Sequence, residues 1–104
     1  MLKLTLIAIT FAASAQACAA EKWIDVRIPE QYHQEHIKGA VNLPLKDIDA
    51  NNVASLSRDD TLYLYCNSGR QATLAQEKLQ QLGYQHVINK GGMNQLNMPT
   101  VKSH

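Results

Sequence analysis

Apolar residues gather in four short segments that predict strands, at residues 23–26, 40–43, 61–65 and 86–88. Proline, glycine or polar residues follow most of these segments, and such residues commonly end a strand. The third segment, TLYLY, gives the strongest signal because it consists almost entirely of strand-forming residues. Its apolar run does not alternate with polar positions, which is typical of a strand covered on both faces within a parallel sheet.

Helical spacing occupies the stretches between these segments. Residues 71–82 place alanine and leucine along one face and end at Gly83, a suitable helix stop. Residues 29–34 suit a helical turn that starts with proline, and residues 45–56 show weaker helical spacing. Strands that alternate with helices predict one α/β domain, with a central, mostly parallel sheet flanked by helices.

Residues 1–19 differ in character from the rest of the chain. A single early cation, Lys3, precedes an uncharged apolar run and an alanine-rich segment, which together are typical of a secretory signal peptide. The apolar run is shorter than the roughly 20 residues that span a bilayer. We therefore expect cleavage after Ala19, a periplasmic single domain at residues 20–104, and no membrane association of the mature form. A buried N-terminal element and lipid attachment at Cys18 are the alternatives.

Net charge changes the range of possible partners. The formal net charge is +1, and Lys3 is the only charged residue within 1–19, so the remaining domain is neutral. A neutral domain has no general field that would attract nucleic acid or an acidic membrane surface. Loss of the first 19 residues also leaves Cys66 as the only cysteine. A lone cysteine is often a buried, inert side chain, but in an exported protein it can also be a reactive thiol.

A short polar loop favours the reactive thiol. It connects the strongest predicted strand with the strongest predicted helix, and its residues are Cys66, Asn67, Ser68, Gly69, Arg70 and Gln71. Ligands of open α/β sheets bind beyond the carboxyl ends of the strands, where this loop lies. Loop amides and the start of a helix favour a thiolate, which is the nucleophilic form, and the arginine suits a sulfonate or phosphate oxygen. We expect Cys66 to be catalytic and the other five residues to bind substrate.

Two cysteine chemistries use a loop of this kind. Tyrosine-type phosphatases place five residues between the cysteine and the arginine, so that the loop can surround a phosphate. Only three residues separate Cys66 from Arg70 here, and the loop contains no acidic residue. The spacing therefore favours a persulfide sulfur over a phosphoryl group.

Three stretches of the sequence resemble the rhodanese family. Residues 23–27, WIDVR, are similar to its Asp-Val-Arg opening, and residues 36–44, HIKGAVNLP, resemble its His-Ile-x-Gly-Ala-x-Asn-Ile-Pro signature. The Cys66 loop is the third, and Gly91-Gly92-Met93 is a weaker echo. The tryptophan often found shortly after the Gly-Gly pair is absent, with Leu96 in that neighbourhood.

The resemblance implies a rhodanese-like fold and a Cys66 persulfide. It also implies thiosulfate as sulfur donor. For the mechanism we expect cyanide or a thiol as acceptor and no metal or organic cofactor. A persulfide carrier that serves a partner protein, such as a thioredoxin-like acceptor, is the main alternative. A non-catalytic interaction module usually lacks the cysteine, so the presence of Cys66 disfavours that role.

The remaining polar residues have structural interpretations. Asp25 and Arg27 suit an ion pair that holds the end of the first strand, although they could also touch substrate. His33 and His36 could meet on one helical face, but no third metal ligand is near in sequence, so we expect no metal and a hydrogen-bonded His36.

Overall fold

Parallel strand pairing organises the domain. The computed structural model describes residues 19–103, and the predicted signal segment before residue 19 and its Cys18 lie outside the described residues. The elements in chain order are β1 (Glu21–Asp25), α1 (Pro29–Gln34), β2 (His36–Ile37), β3 (Val41–Asn42), β4 (Thr61–Cys66), α2 (Arg70–Gln81), β5 (Val87–Gly92) and β6 (Thr100–Val101).

Four of these strands form the central sheet in the order β3-β1-β4-β5, and every neighbouring pair is parallel. β4 lies in the interior of the sheet, where Ile24 pairs with Leu64 on one side and Leu62 pairs with Val87 on the other. The interior position explains its unbroken apolar sequence, because both faces of such a strand are covered. The predicted α/β architecture with a central, mostly parallel sheet is confirmed.

Two apolar clusters cover the two faces of this sheet. Helix α2 turns Ala72, Ala75 and Leu79 toward the larger cluster, and each of these side chains is fully buried. The smaller cluster centres on Ile37 and Tyr65. Helix α2 ends at Gln81, one residue before the predicted end. Leu82 caps it, and the predicted stop Gly83 follows with a φ of +101° and donates its amide to the Gln80 carbonyl.

The stretch at residues 45–56 differs from the prediction. Only Leu45–Asp47 forms a short 3₁₀ helix, and turns occupy most of the remainder. The Asp49 carboxylate accepts a hydrogen bond from the Asn52 amide at 2.8 Å, which offers that amide a partner outside a helix. The apolar residues Ile48 and Val53 reach the core from these turns. The sequence pattern therefore indicated their burial, but the prediction of a helix was wrong.

A second, two-stranded sheet was not predicted. β2 and β6 pair antiparallel, with His36 opposite Val101 and Ile37 opposite Thr100. The segment after residue 92, for which the sequence predicts no strand, therefore contains β6. Each strand has only two residues, so no local pattern marks either of them, and the pairing joins segments far apart in the sequence.

Within residues 19–103 no helix combines the length and the apolar character that a membrane span requires.

The buried carboxylate of Asp60 anchors the start of β1. It accepts hydrogen bonds from the amides of Ala20 (3.1 Å) and Ser57 (3.2 Å), and the Lys22 ammonium lies 3.1 Å away. The bond from the Ala20 amide lowers the pKa of Asp60, and the contacts with Lys22 and Ser57 act in the same direction against the opposing effect of burial. The charged form therefore stabilises the folded state.

Asp60→Asn should lower the free energy of unfolding at neutral pH. Because the folded-state pKa lies below the unfolded value of about 3.9, the difference from wild type should persist above that value and vanish as the pH falls through the folded pKa. Urea unfolding at a series of pH values measures it. Asp59→Asn, at an exposed neighbouring carboxylate, is the control; equal pH profiles for the two variants would contradict the role of Asp60.

Candidate active site

The Cys66 loop lies at the carboxyl end of β4, as the sequence predicts. β4 ends at Cys66 and α2 begins at Arg70, one residue before the predicted start. The turn between them depends on Gly69, which has a φ of +92° and no Cβ. A side chain at this position would also meet the Gly91 Cα at 3.2 Å. The turn therefore requires glycine for two reasons: its φ is positive, and a Cβ would crowd Gly91.

The Cys66 sulfur faces both the core and a cavity. Its side chain is 1% exposed and belongs to the larger apolar cluster, yet it also lines a cavity of about 330 Å³. The Gly69 amide donates a hydrogen bond to Sγ at 2.9 Å. A sulfur that is shielded from bulk water, receives an amide hydrogen and borders a cavity is suited to act as a nucleophile on a small anion.

The structure brings most of the predicted site residues together around this cavity. Its lining consists of Ile28, Gln31, Cys66, Asn67, Ser68, Arg70 and Gln71. Gly69 contributes its amide to the sulfur and borders a neighbouring, more open groove of about 750 Å³, which also includes Ser68 and Arg70. The cavity and the groove therefore meet at Ser68 and Arg70, on the outer side of the loop.

Arg70 is exposed and available to an anion. Within residues 19–103 no carboxylate lies within ion-pair distance of its guanidinium. The guanidinium thus remains free to bind the planar or tetrahedral oxygens of a small acid. Asn67, Ser68 and Gln71 are exposed as well and supply polar walls.

Arg27 hydrogen-bonds the Cys66 loop through the side chain of Asn67. Its guanidinium forms a buried ion pair with Asp25 at 2.7 Å and donates to the Asn67 side-chain oxygen at 3.1 Å and the Glu35 carbonyl at 2.6 Å. Burial opposes its charge, but hydrogen bonds and attraction from Asp25 outweigh burial and raise the pKa of Arg27. The predicted ion pair is confirmed, and it extends to the loop, which the sequence did not indicate.

The side chains of His36 and Tyr65 make structural contacts within the fold. The His36 ring stacks on Tyr32 with centroids 3.7 Å apart, and its Nδ1 lies 2.8 Å from the Tyr32 carbonyl. The Tyr65 hydroxyl accepts a hydrogen bond from the Ile37 amide at 2.9 Å, and burial is the main cause that raises the pKa of Tyr65. Among the residues that the structure describes, no group of three His, Cys, Asp or Glu side chains is arranged to hold a metal ion.

Two residues of the cavity wall were missed from the sequence. Ile28 and Gln31 follow the end of β1, which is the neighbour of β4 in the sheet. Parallel strands bring their carboxyl ends to one edge, so whatever follows β1 lies beside the Cys66 loop. That strand order was the missing information, since nothing in the residue types of Ile28 or Gln31 indicates a site.

The Gly91-Gly92 pair also contacts the site. A Cβ on Gly92 would overlap the Asn67 carbonyl oxygen and lie 3.0 Å from its carbonyl carbon. In the sheet, Gly92 pairs with Cys66 itself. The pair therefore allows the backbone of β5 to pass directly beneath the loop, which a larger residue would prevent.

Comparison with known proteins agrees with this geometry. The sequence profile of the Rhodanese-like domain matches residues 10–98. The chain is 47% identical to the thiosulfate sulfurtransferase PspE of Escherichia coli over 98% of its own length and 99% of the relative.

Solved structures show the same likeness. A rhodanese with anions from E. coli superimposes with a TM-score of 0.74 at 49% identity, covering 80% of this chain and 99% of that chain. The rhodanese-like domain of a protein from Anabaena gives a TM-score of 0.72 at 29% identity, covering 83% and 85%. The fold, the position of the cysteine loop and these matches together show that the chain belongs to the family of rhodanese-like domains.

Proposed function

We propose that this protein is a thiosulfate sulfurtransferase that carries sulfur as a Cys66 persulfide. The observation that carries the proposal is the Cys66 sulfur at the wall of an open cavity, hydrogen-bonded by the Gly69 amide and bordered by the free cation Arg70. The full-length similarity to a relative named thiosulfate sulfurtransferase supports the same activity.

In the first step, the Cys66 thiolate attacks the outer sulfur of thiosulfate. A bond forms between the two sulfurs, the sulfur–sulfur bond of thiosulfate breaks, and sulfite leaves with the electron pair. Arg70 holds the sulfonate oxygens during this displacement, since a guanidinium donates two parallel hydrogen bonds to such oxygens. The product is a Cys66 persulfide anion, and the total charge is unchanged.

In the second step, an acceptor removes the outer sulfur. Cyanide forms a bond to that sulfur, the persulfide bond breaks, and the Cys66 thiolate is restored as thiocyanate departs. The Gly69 amide stabilises the sulfur charge between the two steps. Because the first product leaves before the acceptor reacts, the kinetics should be ping-pong.

The physiological acceptor is proposed to be a thiol, and a thioredoxin-like protein is one such acceptor. The persulfide-carrier alternative uses the same cysteine but turns over slowly on cyanide. The three-residue spacing between Cys66 and Arg70 continues to disfavour a phosphatase. All of these steps use only side chains and amides of this chain, and the proposed mechanism needs no cofactor.

Intact-mass spectrometry and steady-state kinetics test the proposal together. Incubation with thiosulfate should add one sulfur atom to the protein and release one equivalent of sulfite, and cyanide should then remove the sulfur as thiocyanate. Rates measured with cyanide, small dithiols and a thioredoxin-like protein would identify the preferred acceptor class. Wild-type protein that gains no mass from thiosulfate would exclude this donor.

The chain is also proposed to be exported to the periplasm, with residues 1–19 removed. The charge and apolar pattern of that segment support export, and the Ala20 amide that would become the new terminus already faces the Asp60 carboxylate at 3.1 Å. N-terminal sequencing of the protein from an exporting bacterium should begin at Ala20. A blocked terminus at Cys18 would instead indicate lipid attachment.

A further inference from the structure

The side chain of Asn89 on β5 joins that strand to the Cys66 loop. Its Nδ2 donates to the Gly69 carbonyl at 3.1 Å and to the Thr73 hydroxyl at 2.8 Å. Its Oδ1 accepts a hydrogen bond from the Gly91 amide at 2.8 Å. Both hydrogens of the amide group and its oxygen are therefore engaged, which fixes the orientation of this half-buried side chain.

An irregularity in β5 follows directly after Asn89. Leu64 pairs with Asn89, whereas Cys66 pairs with Gly92, so two steps along β4 match three steps along β5. The extra residue forms a bulge, and Gly91 within it has a φ of +86°. Bulges change the direction of a strand and of its side chains, and they often lie beside active sites.

The hydrogen bond from Asn89 to Gly69 matters because Gly69 itself hydrogen-bonds the Cys66 sulfur. The Gly69 amide donates to Cys66 Sγ, while its carbonyl receives Asn89 together with the amide and hydroxyl of Thr73, each at 3.0 Å. The carbonyl and the Arg70 amide belong to one planar peptide unit, so bonds at the carbonyl also set the direction of the first amide of α2. Glycine would otherwise rotate more freely than any other residue.

We propose that Asn89 is a positioning residue of the sulfur site, which holds Gly69 so that its amide points at the Cys66 sulfur and stabilises negative charge there. Its link to sulfur transfer rests on the proposed function. Its effect on the thiol does not, because the hydrogen bond from Gly69 to the resting sulfur exists without any substrate.

The matched control is Gln76. Its side-chain amide also ties α2 to β5, through a 2.8 Å hydrogen bond from Nε2 to the Val87 carbonyl, but it does not contact the loop. Asn89→Leu and Gln76→Leu therefore each remove a side-chain amide that bridges the same two elements. Only the first removes a contact to Gly69.

The test is the rate of iodoacetamide alkylation against pH, measured under native conditions on the full chain carrying Cys18→Ala. Asn89→Leu should move the midpoint of the alkylation profile upward by about half a pH unit or more and lower kcat/KM for thiosulfate about tenfold. Gln76→Leu should leave the midpoint unchanged. The charged groups near the loop are retained in every variant: Arg27 with its partner Asp25, Arg70, and Lys90, which borders the same groove.

An unshifted midpoint in Asn89→Leu, or the same shift in Gln76→Leu, would overturn the proposal. If Asn89→Leu does not fold, Asn89→Ala carries the same comparison. The two hypotheses also fail separately: wild-type protein that alkylates normally but takes no sulfur from thiosulfate contradicts the proposed function, and the alkylation profiles still decide the role of Asn89.

Discussion

Cys66→Ala is expected to abolish sulfur uptake and to lower the rate of thiocyanate formation on the order of 10³-fold or more. The cysteine sulfur is the atom that forms the covalent intermediate in the proposed reaction, so no neighbouring group can replace it. Arg70 and the loop amides would still bind thiosulfate, but the bound anion would have no nucleophile to attack its outer sulfur. Intact-mass spectra after thiosulfate treatment should show no added sulfur.

The matched control is Cys18→Ala, and both variants are made in the chain that keeps residues 1–19, where Cys18 is the other cysteine. It should gain one sulfur atom and retain wild-type turnover. Cys66→Ala removes a fully buried atom from the core, so its free energy of unfolding should fall by roughly 1 kcal/mol, which urea unfolding would measure. Folded Cys66→Ala protein that still takes up sulfur would contradict the assignment of the nucleophile.

Gly92→Ala is expected to lower kcat/KM for thiosulfate about 10²-fold, although Gly92 contributes no side chain to the cavity. The added Cβ would overlap the Asn67 carbonyl and lie 3.3 Å from the Ser68 Cα, so the loop or β5 must move. Movement of the loop displaces the amide that faces the sulfur. Overpacking of this kind should also reduce the free energy of unfolding by about 1–3 kcal/mol.

Gly39→Ala is the control for Gly92→Ala. It separates an effect on stability from an effect on the geometry of the Cys66 loop. A Cβ at Gly39 meets no atom within 4 Å, but the φ of +89° is strained for alanine by about 1–2 kcal/mol. The two variants should therefore lose comparable stability, while Gly39→Ala keeps its activity. Steady-state kinetics beside urea unfolding make the comparison, and wild-type activity in Gly92→Ala would show that the close approach of β5 is unimportant.

The elements that the sequence predicted well are those whose burial follows a local pattern. β4 is apolar at nearly every position because it lies inside the sheet, and α2 places Ala72, Ala75 and Leu79 on one face because that face meets the sheet. The pattern failed at residues 45–56, where apolar residues reach the core from turns with no helical period. It also failed at β2 and β6, since two-residue strands are too short to carry a period.

The same division applies to the site. Residue types alone placed Cys66 and Arg70 at the junction between a strand and a helix, because a strand, a glycine and a helix start are local features. Ile28 and Gln31 entered the cavity wall only because β1 and β4 are neighbours in the sheet. Asn89 reached Gly69 only because β5 lies beside β4 in the sheet.

The sequence by itself therefore determined the class of fold, the place of Cys66 at the end of a strand and the loop that follows it, since each follows from neighbouring residues. Tertiary structure alone decided which distant side chains surround that loop and which of them hydrogen-bond its backbone. The physical reason is that strand order and the close approach of two backbones depend on packing between segments far apart in the chain, and no local pattern of residues records such packing.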